Sequence, residues 1–164
     1  MIKVLTMNSL NQLDDIDLTI LEILQKNGRT RRNDLAQAVD LSIPSVSDRL
    51  KKLEDNGILT GYYASVDPKK VGKDITAFIT VNVDSSKHYN SFIEHAKSTD
   101  EILEVHSVTG TGTHLLKIRT ENTSSLEKLL SKIQAWSGVV NTTTSIVLSS
   151  LKETTRLKIN KQKY

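Results

Sequence analysis

The chain has 164 residues and a formal net charge of +3, from 22 basic and 19 acidic side chains, and it contains no cysteine. This length allows one ordinary domain or two small ones. The lack of cysteine excludes disulfides, thiolate metal sites, iron–sulfur clusters and cysteine nucleophiles. No apolar run approaches the roughly eighteen residues of a membrane-spanning helix, and the opening Met1–Thr6 is too short in apolar residues for a signal peptide. We therefore expect a folded, cytoplasmic protein.

Three short helices are predicted between residues 13 and 57. The first has Asp14 as its N-cap and Gly28 as its stop, and the second covers about residues 31–39. The third begins after Ser42, has Pro44 in its first turn and ends at Gly57. Apolar residues recur at helical spacing in all three, at Leu13, Ile16, Ile20, Leu21, Leu24, Leu35, Ala36, Val39, Val46, Leu50 and Leu53.

The second and third helices have the length and separation of a helix-turn-helix, whose second member lies in the DNA major groove. From Lys26 to Lys52 there are seven basic and three acidic residues, a local balance of +4. The polar side chains of the third helix point away from its apolar stripe, and we expect Asp48 to pair with Arg49 or Lys52. The residues predicted to contact DNA are Ser45, Ser47, Arg49 and Lys52 near the groove, and Arg31, Arg32 and Asn33 near the phosphates.

A change of pattern follows the helices. Residues 58–66 are rich in β-branched and aromatic side chains, which predicts a short hairpin or wing. Asp67-Pro68 then breaks this pattern, and residues 67–74 are predicted to be a linker.

The second half predicts a ferredoxin-like βαββαβ domain over residues 75–151. Strands are expected at 75–83, 102–109, 114–120 and 139–148, with helices at 89–97 and 123–136 and a Gly110-Thr111-Gly112 turn. Two helices cover only one face of such a sheet. We therefore expect Phe78, Ile146 and Leu148 to be exposed on the single chain and to contact a partner subunit.

The chain then divides into an N-terminal extension (1–12), a winged helix-turn-helix domain (13–66), a linker (67–74), the βαββαβ domain (75–151) and a tail (152–164). The lysine-containing tail, with Lys158, Lys161 and Lys163, is expected to fray or to lie along a neighbour.

Competing functions have weaker support in the sequence. The four histidines, His88, His95, His106 and His114, lack metal-ligand spacing, and the motifs of serine hydrolases, zinc proteases and P-loops are missing. We predict no catalytic residue, metal or cofactor, and we interpret His88 and His95 as surface residues. An RNA-recognition module needs aromatic side chains on its central strands, and Phe78 is the single aromatic residue in the four predicted strands. A small-molecule sensor whose helical half is a protein–protein adaptor stays open as the alternative, since charged helix faces are often only solvated.

Many short motifs in one order resemble the Lrp/AsnC family of transcription regulators. In the first half these are Leu13-Asp14 with Asp17, Ile20-Leu21, Gly28-Arg29, Leu35-Ala36, Leu41-Ser42, Val46 with Arg49, Leu53-Glu54, Gly57-Ile58, Gly61-Tyr62 and Asp67-Pro68 ending in Gly72. In the second half they are Val108-Thr109-Gly110, Leu115-Leu116-Lys117-Ile118, and residues 142–148 followed by Lys152-Glu153-Thr154. The resemblance implies a winged helix-turn-helix, a βαββαβ assembly domain, dimers and often octamers, and an amino-acid effector bound between subunits.

Two positions depart from the family pattern. Arg31 stands where the family often has a serine that caps the second helix, which adds a cation near the expected phosphate contact. Thr113 replaces the acidic residue of the family's Gly-x-x-Asp turn, so the turn lacks a counter-charge for an ammonium group. The sequence therefore leaves three possibilities open for this site: an amino acid, another ligand, or no ligand. The residues that the resemblance places at the effector are Gly110, Thr111, Gly112, Thr113, His114, Thr142 and Thr144.

Overall fold

The computed structural model describes residues 13–159. The chain divides into two compact units. The described part of the first consists of residues 13–65 together with 154–159, and the second consists of residues 66–153. Within the described residues no helix is long and apolar enough to cross a membrane.

The first unit contains three helices, α1 (Asp15–Lys26), α2 (Arg32–Ala38) and α3 (Ile43–Asp55). Each lies where the apolar spacing predicts it. Asp14 caps α1 and Ser42 caps α3, and both side chains accept a hydrogen bond from a backbone N–H of the first turn. The core of this unit is formed by buried residues of all three helices: Ile20, Leu21, Leu24, Leu35, Ala36, Val46, Leu50 and Leu53.

Within residues 13–159 no strand is formed at residues 58–66, where a short hairpin or wing is expected. The backbone N–H groups of Ile58 and Leu59 both donate to the Leu53 carbonyl oxygen, at 2.9 and 3.0 Å, and so close the end of α3. Residues 60–66 then run without strand pairing to any other described residue. Two residues of the predicted first strand are used as a helix cap, and the rest are too few to form both strands of a hairpin.

The C-terminal segment returns to the first unit. The backbone N–H of Leu157 donates to Gln25 Oε1 at 2.6 Å, and its carbonyl oxygen accepts from Gln25 Nε2 at 3.2 Å. Ile159 packs against the helical core. This part of the tail therefore lies along α1, while Lys161 and Lys163 are outside the described residues.

The second unit is a four-stranded antiparallel sheet in the order β2-β3-β1-β4. Its elements follow the predicted βαββαβ order: β1 (Ile75–Val83), α4 (Tyr89–Lys97), β2 (Ile102–Ser107), β3 (His114–Thr120), α5 (Thr123–Gln134) and β4 (Val139–Ile146). Short 3-10 turns lie at Lys69–Val71 and Ser86–His88. Buried residues of β1, β3, α4 and α5, with Trp136, form one core. The predicted fold class is confirmed.

The register of the sheet decides which side chains lie on the face without helices. Phe78 lies opposite Lys117 and Ser145 on that open face, whereas its neighbours Ala77 and Ile79 are fully buried on the helix side. Ile146 pairs with Ala77, so the expectation that it shares the open face with Phe78 is wrong. Pairing register depends on the neighbouring strand and cannot be obtained from the alternation within one strand. Leu148 lies beyond the end of β4 and is 97% exposed.

Candidate nucleic-acid interface and effector site

The turn between α2 and α3 holds the two helices of the predicted DNA-binding motif. Asp40 adopts a left-handed conformation with φ of 52°, and the N–H of Leu41 donates to the Ala36 carbonyl oxygen at 3.0 Å. This reverses the chain directly after α2, as a left-handed residue at a helix end does. Ser42 then starts α3, with Pro44 in the first turn.

The outward side of α3 is polar and accessible. Ser45, Asp48, Lys51 and Lys52 are exposed, and Ser47 is half-buried. The Ser45 hydroxyl lies 2.8 Å from that of Ser42. In the part of the chain that the structure describes, neither Lys51 nor Lys52 has an acidic partner, which leaves two cations free for an external anion.

Lys51 was not among the residues predicted from the sequence. It lies between the apolar positions Leu50 and Leu53 in the sequence but on the opposite side of the helix, at 100° per residue. That spacing could have identified it. Asp48, expected to pair with Arg49 or Lys52, has no ion-pair partner among residues 13–159, since Arg49 turns instead toward Asp14 and Asp17.

The start of α2 carries the residues predicted to lie near phosphates. Arg31 occupies the N-cap position without a side-chain cap, as the departure from the family pattern suggests, and Arg32 and Asn33 begin the helix. All three side chains are exposed. They therefore form a second accessible basic group within the same motif.

Tyr62, part of the Gly61-Tyr62 motif but not predicted as a site residue, forms a hydrogen bond to the end of α3. Its hydroxyl donates to Glu54 Oε1 at 2.9 Å. Desolvation and this hydrogen bond raise the pKa of Tyr62 to about 12, so the phenol stays protonated at neutral pH.

The turn between β2 and β3 contains the expected effector residues. Gly110 has φ of 122°, which favours glycine, and Gly112 is buried against Thr80 and the Val81 carbonyl oxygen. A Cβ at Gly112 would overlap the Thr80 methyl group. The close approach of the turn to β1 thus requires glycine there.

Thr113 and His114 have their polar atoms directed into the sheet. The Thr113 hydroxyl lies 3.1 Å from the Val81 carbonyl oxygen, accepts from the Val83 N–H at 3.0 Å and lies 2.9 Å from His114 Nδ1. His114 is fully buried between the rings of Tyr89 and Phe92, and burial lowers the pKa of its imidazole. Alternation in β3 could have predicted this burial, because Leu116 and Ile118 have the same parity.

The other two effector candidates lie on the helix-covered face of β4. Thr142 shares a cross-strand row with Val81 and His114, and its hydroxyl accepts from Gln134 Nε2 at 3.0 Å. Thr144 lies one row further, beside Ile79. The structure therefore separates Thr142 from His114 by the width of β1.

A surface cleft of about 380 Å³ lies at the other end of β3, between the 66–73 segment, residues 100–103 and Arg119, and none of the effector candidates lines it.

A charge network that the sequence did not predict crosses the open face of the sheet. Glu153 accepts from Lys117 Nζ at 2.6 Å and from Arg119 Nη2 at 2.7 Å. Lys117 also contacts Glu104, at 3.2 Å, and Glu104 contacts His106. The hydrogen bond to Glu153 raises the pKa of Lys117 and lowers that of Glu153. The segment after β4 thus covers part of the open face.

The remaining histidines show no metal site. Among residues 13–159 no three His, Asp or Glu side chains come together as metal ligands. His95 stacks on Trp136. His88 lies 3.1 Å from the Ser137 hydroxyl, but the nearest oxygen of Asp84 is 3.8 Å from its ring, too far for the hydrogen bond that orients an activated histidine.

A helix-turn-helix with an accessible basic helix, joined to a βαββαβ domain, defines a DNA-binding regulator with a separate assembly or ligand domain. Comparison with known proteins agrees. The model of the Lrp/AsnC ligand binding domain matches residues 76–157, and a winged helix-turn-helix DNA-binding model matches residues 13–60. The chain belongs to the Lrp/AsnC family of HTH-type transcription regulators.

Relatives and solved structures match along nearly the whole chain. An uncharacterized HTH-type transcriptional regulator of Bacillus subtilis, YezC, is 41% identical over 84% of this chain and 95% of its own length. The regulatory protein AsnC of Escherichia coli K12 is 33% identical over 84% of this chain and 91% of its own. A crystal structure of a transcriptional regulator from Neisseria meningitidis in complex with L-Met has a TM-score of 0.85 at 32% identity, and the match covers 90% of this chain and 97% of that one.

Proposed function

We propose that α3 is the recognition helix of this transcription regulator, with Ser45, Ser47, Lys51 and Lys52 at or near the groove of double-stranded DNA. Arg31, Arg32 and Asn33 at the start of α2 bind phosphates. The observation that carries the proposal is the outward side of α3, where accessible lysines without an acidic partner among the described residues lie beside short hydroxyl side chains. Lysines bind phosphates or guanine edges, and serines at a helix N-terminus are adaptable donors and acceptors.

Salt-dependent binding to duplex DNA tests this proposal. Replacing Arg31 by alanine should weaken binding to all sequences and lower the slope of log affinity against log salt by about one, because one phosphate contact is lost. Ser45→Ala should instead relax the preference at one base position and cost about 1–3 kcal/mol. The combined Arg31→Ala, Lys51→Ala, Lys52→Ala variant serves as the strongest test. Wild-type affinity, salt slope and sequence preference in that variant would refute DNA binding by these helices and favour the adaptor alternative.

We further propose that the chain assembles through the βαββαβ unit, with a dimer as the basic species and an octamer suggested by family resemblance. Phe78 is 37% exposed on a sheet face that has no helix over it, which favours a second copy as its cover. Two-fold pairing also presents two recognition helices to two half-sites.

The effector that we propose is an amino acid or a similar small molecule, bound beside the 110–114 turn. The neighbouring structure in complex with L-Met supports this class of ligand. The turn offers the hydroxyl of exposed Thr111 and the backbone of Gly110, whereas the polar groups of Thr113 and His114 are directed into the sheet. We therefore expect recognition of the carboxylate by backbone N–H groups and of the ammonium by hydroxyl or carbonyl oxygens.

A thermal-shift screen of the twenty amino acids tests the effector. A ligand present at a hundredfold excess over its dissociation constant stabilises the folded protein by about 2.7 kcal/mol. We expect one or a few amino acids to raise the melting temperature and to change DNA affinity. If none does either, the sensor role is wrong while the DNA-binding role is unaffected.

We infer no enzymatic activity and a cytoplasmic site of action, where DNA is accessible. The relatives are transcription regulators, which supports the first inference. Asp84 lies 3.8 Å from the His88 ring and does not orient it as a base for Ser137. This geometry also supports the inference of no enzymatic activity.

A further inference from the structure

The guanidinium group of Arg49 on α3 lies against the N-terminal end of α1. Its Nη1 donates to Oδ2 of Asp14 at 2.7 Å and to Oδ1 of Asp17 at 2.8 Å. The sequence predicts Arg49 near the DNA groove. These two contacts direct it into the unit instead.

The two carboxylates already form the capping box of α1. Oδ1 of Asp14 accepts from the Asp17 N–H at 2.8 Å, and Oδ2 of Asp17 accepts from the Asp14 N–H at 3.3 Å. Arg49 donates to the second oxygen of each side chain. All four carboxylate oxygens therefore have a donor, and one nitrogen of α3 is held by the group that starts α1.

Burial makes this arrangement difficult to open. The side chain of Asp17 is 9% exposed and that of Arg49 is 29% exposed. If Arg49 turned toward DNA, two adjacent carboxylates would lose their counter-charge, and one of them is buried. Burial opposes ionisation of Asp14, yet the hydrogen bonds from the Asp17 N–H and from Arg49 keep its pKa below the ordinary value.

The position of Arg49 on its helix agrees with these contacts. It follows the buried Val46 by three residues and precedes the buried Leu53 by four, and residues at these spacings share one side of a helix. Lys51 and Lys52 lie on the accessible side. Arg49 therefore belongs to the flank of α3 that faces α1.

We propose that Arg49 is a positioning residue, which fixes the recognition helix against the capped end of α1 and does not contact a base. The proposal rests on the DNA-binding role proposed for α3. It predicts that removal of Arg49 weakens sequence discrimination as a whole, since every side chain on the outward side of α3 moves with the helix.

The test uses the full-length protein and selection of preferred sequences from a random pool of duplex DNA. Four variants are compared with the wild type: Arg49→Met, Arg49→Lys, the triple variant Asp14→Asn, Asp17→Asn, Arg49→Met, and Lys51→Met as a control that removes one charge from the same helix. Affinities for the selected sequence and for a scrambled duplex are measured at a temperature where circular dichroism shows each variant folded.

We expect Arg49→Met to select the wild-type sequence at every position but to lower the ratio of specific to non-specific affinity by about tenfold, comparable with the loss of one base contact. Arg49→Lys should recover part of this ratio. The triple variant should be more stable than Arg49→Met, because its asparagines keep the capping hydrogen bonds without repelling each other, but its ratio should stay low, because no side chain then holds α3 against α1. The Lys51→Met control should lower the salt slope by about one, whereas Arg49→Met should leave that slope unchanged.

Three different results would overturn the proposal. Relaxed preference at a single base position, with the other positions unchanged, would show that Arg49 reads a base. A folded Arg49→Met protein with the wild-type ratio would show that Arg49 only adds stability. The wild type itself could fail to select any sequence, and Lys51→Met could have the same salt slope as the wild type. That result would refute the recognition-helix role and the positioning role together.

Discussion

The buried imidazole of His114 shows how one residue can set the pH dependence of the second unit. Its Nδ1 lies 2.9 Å from the Thr113 hydroxyl, and its Nε2 has no hydrogen-bond partner among the described residues. If the Thr113 proton is donated to the Val81 carbonyl oxygen, 3.1 Å away, Nδ1 must carry the imidazole proton. The unpartnered atom is then a lone pair rather than an N–H, and this tautomer leaves no buried donor unsatisfied.

His114 should make the protein less stable in mild acid. Burial lowers its folded pKa below the ordinary value of 6.5, so below that pH the unfolded chain binds more protons than the folded one. The free energy of unfolding should therefore fall as pH decreases from 6.5 to the folded pKa, by at most about 1.4 kcal/mol per pH unit from this group. Urea unfolding at pH 7.5 and pH 5.5, followed by Trp136 fluorescence, measures the loss.

His114→Asn is the matched variant, since its amide replaces Nδ1 and does not titrate. It should be less stable than the wild type at pH 7.5 because the ring contacts with Tyr89 and Phe92 are lost. Its stability should change less between the two pH values. Equal pH dependence in both proteins would mean that another group is responsible.

At the level of elements, the cap at Ser42 marks where α3 begins. The Ser42 hydroxyl accepts from the Ser45 N–H at 3.3 Å and lies 2.8 Å from the Ser45 hydroxyl. The same two serines thus end the turn and begin the surface that we propose for DNA.

Removing this cap should weaken the first unit. Ser42→Ala should lower the free energy of unfolding by about 1 kcal/mol, the usual cost of a lost N-cap, whereas Ser42→Asp should retain the cap and interact favourably with the positive end of the helix. Ser47→Ala provides a control within α3, since no hydrogen bond from Ser47 is present among the described residues. Thermal unfolding by circular dichroism at 222 nm compares the three, and a Ser42→Ala protein as stable as the Ser47→Ala control would contradict the capping role.

On the scale of the whole molecule, the single chain leaves the open face of the sheet partly uncovered. Glu153 covers its β3 side through Lys117 and Arg119, whose side chains are only 17% and 18% exposed. Phe78 stays accessible, and the neighbouring threonines of β1 are half-buried. The face is thus charged and internally paired on its β3 side, and on β1 it carries Phe78 among uncharged polar side chains, which suits a partner aligned by charge and held by the contact of Phe78.

A charge at the centre of this face should separate the subunits. We expect Phe78→Asp to change the sedimentation behaviour at micromolar concentration from dimer to monomer, because the carboxylate would be desolvated in the interface. DNA affinity should fall in parallel, since a monomer binds one half-site. Ser124→Asp adds the same charge in the first turn of α5 and should leave assembly intact. A wild-type monomer would contradict the proposed assembly, and a Phe78→Asp dimer would place the interface elsewhere.

The sequence by itself determined the order and type of the elements and the class of the protein. Apolar spacing along a helix or strand, the caps Asp14 and Ser42, and the motifs of the Lrp/AsnC family depend on residues close together in the chain. Short-range patterns of this kind indicate local structure without reference to long-range contacts. Elements such as β1, β3 and α4 therefore lie at the predicted residues.

Only the tertiary structure decided what each polar side chain contacts. Arg49 meets Asp14 across 35 positions and Lys117 meets Glu153 across 36, and the register between β1 and β4 turns Ile146 to the face opposite that of Phe78. Such pairs depend on how elements pack, and many packings are compatible with the same local pattern. Ile58 and Leu59 likewise close the end of α3, and the hairpin predicted there does not form among residues 13–159. The physical reason is that periodicity specifies which side of an element is buried, whereas the partner on that side is specified by the rest of the fold.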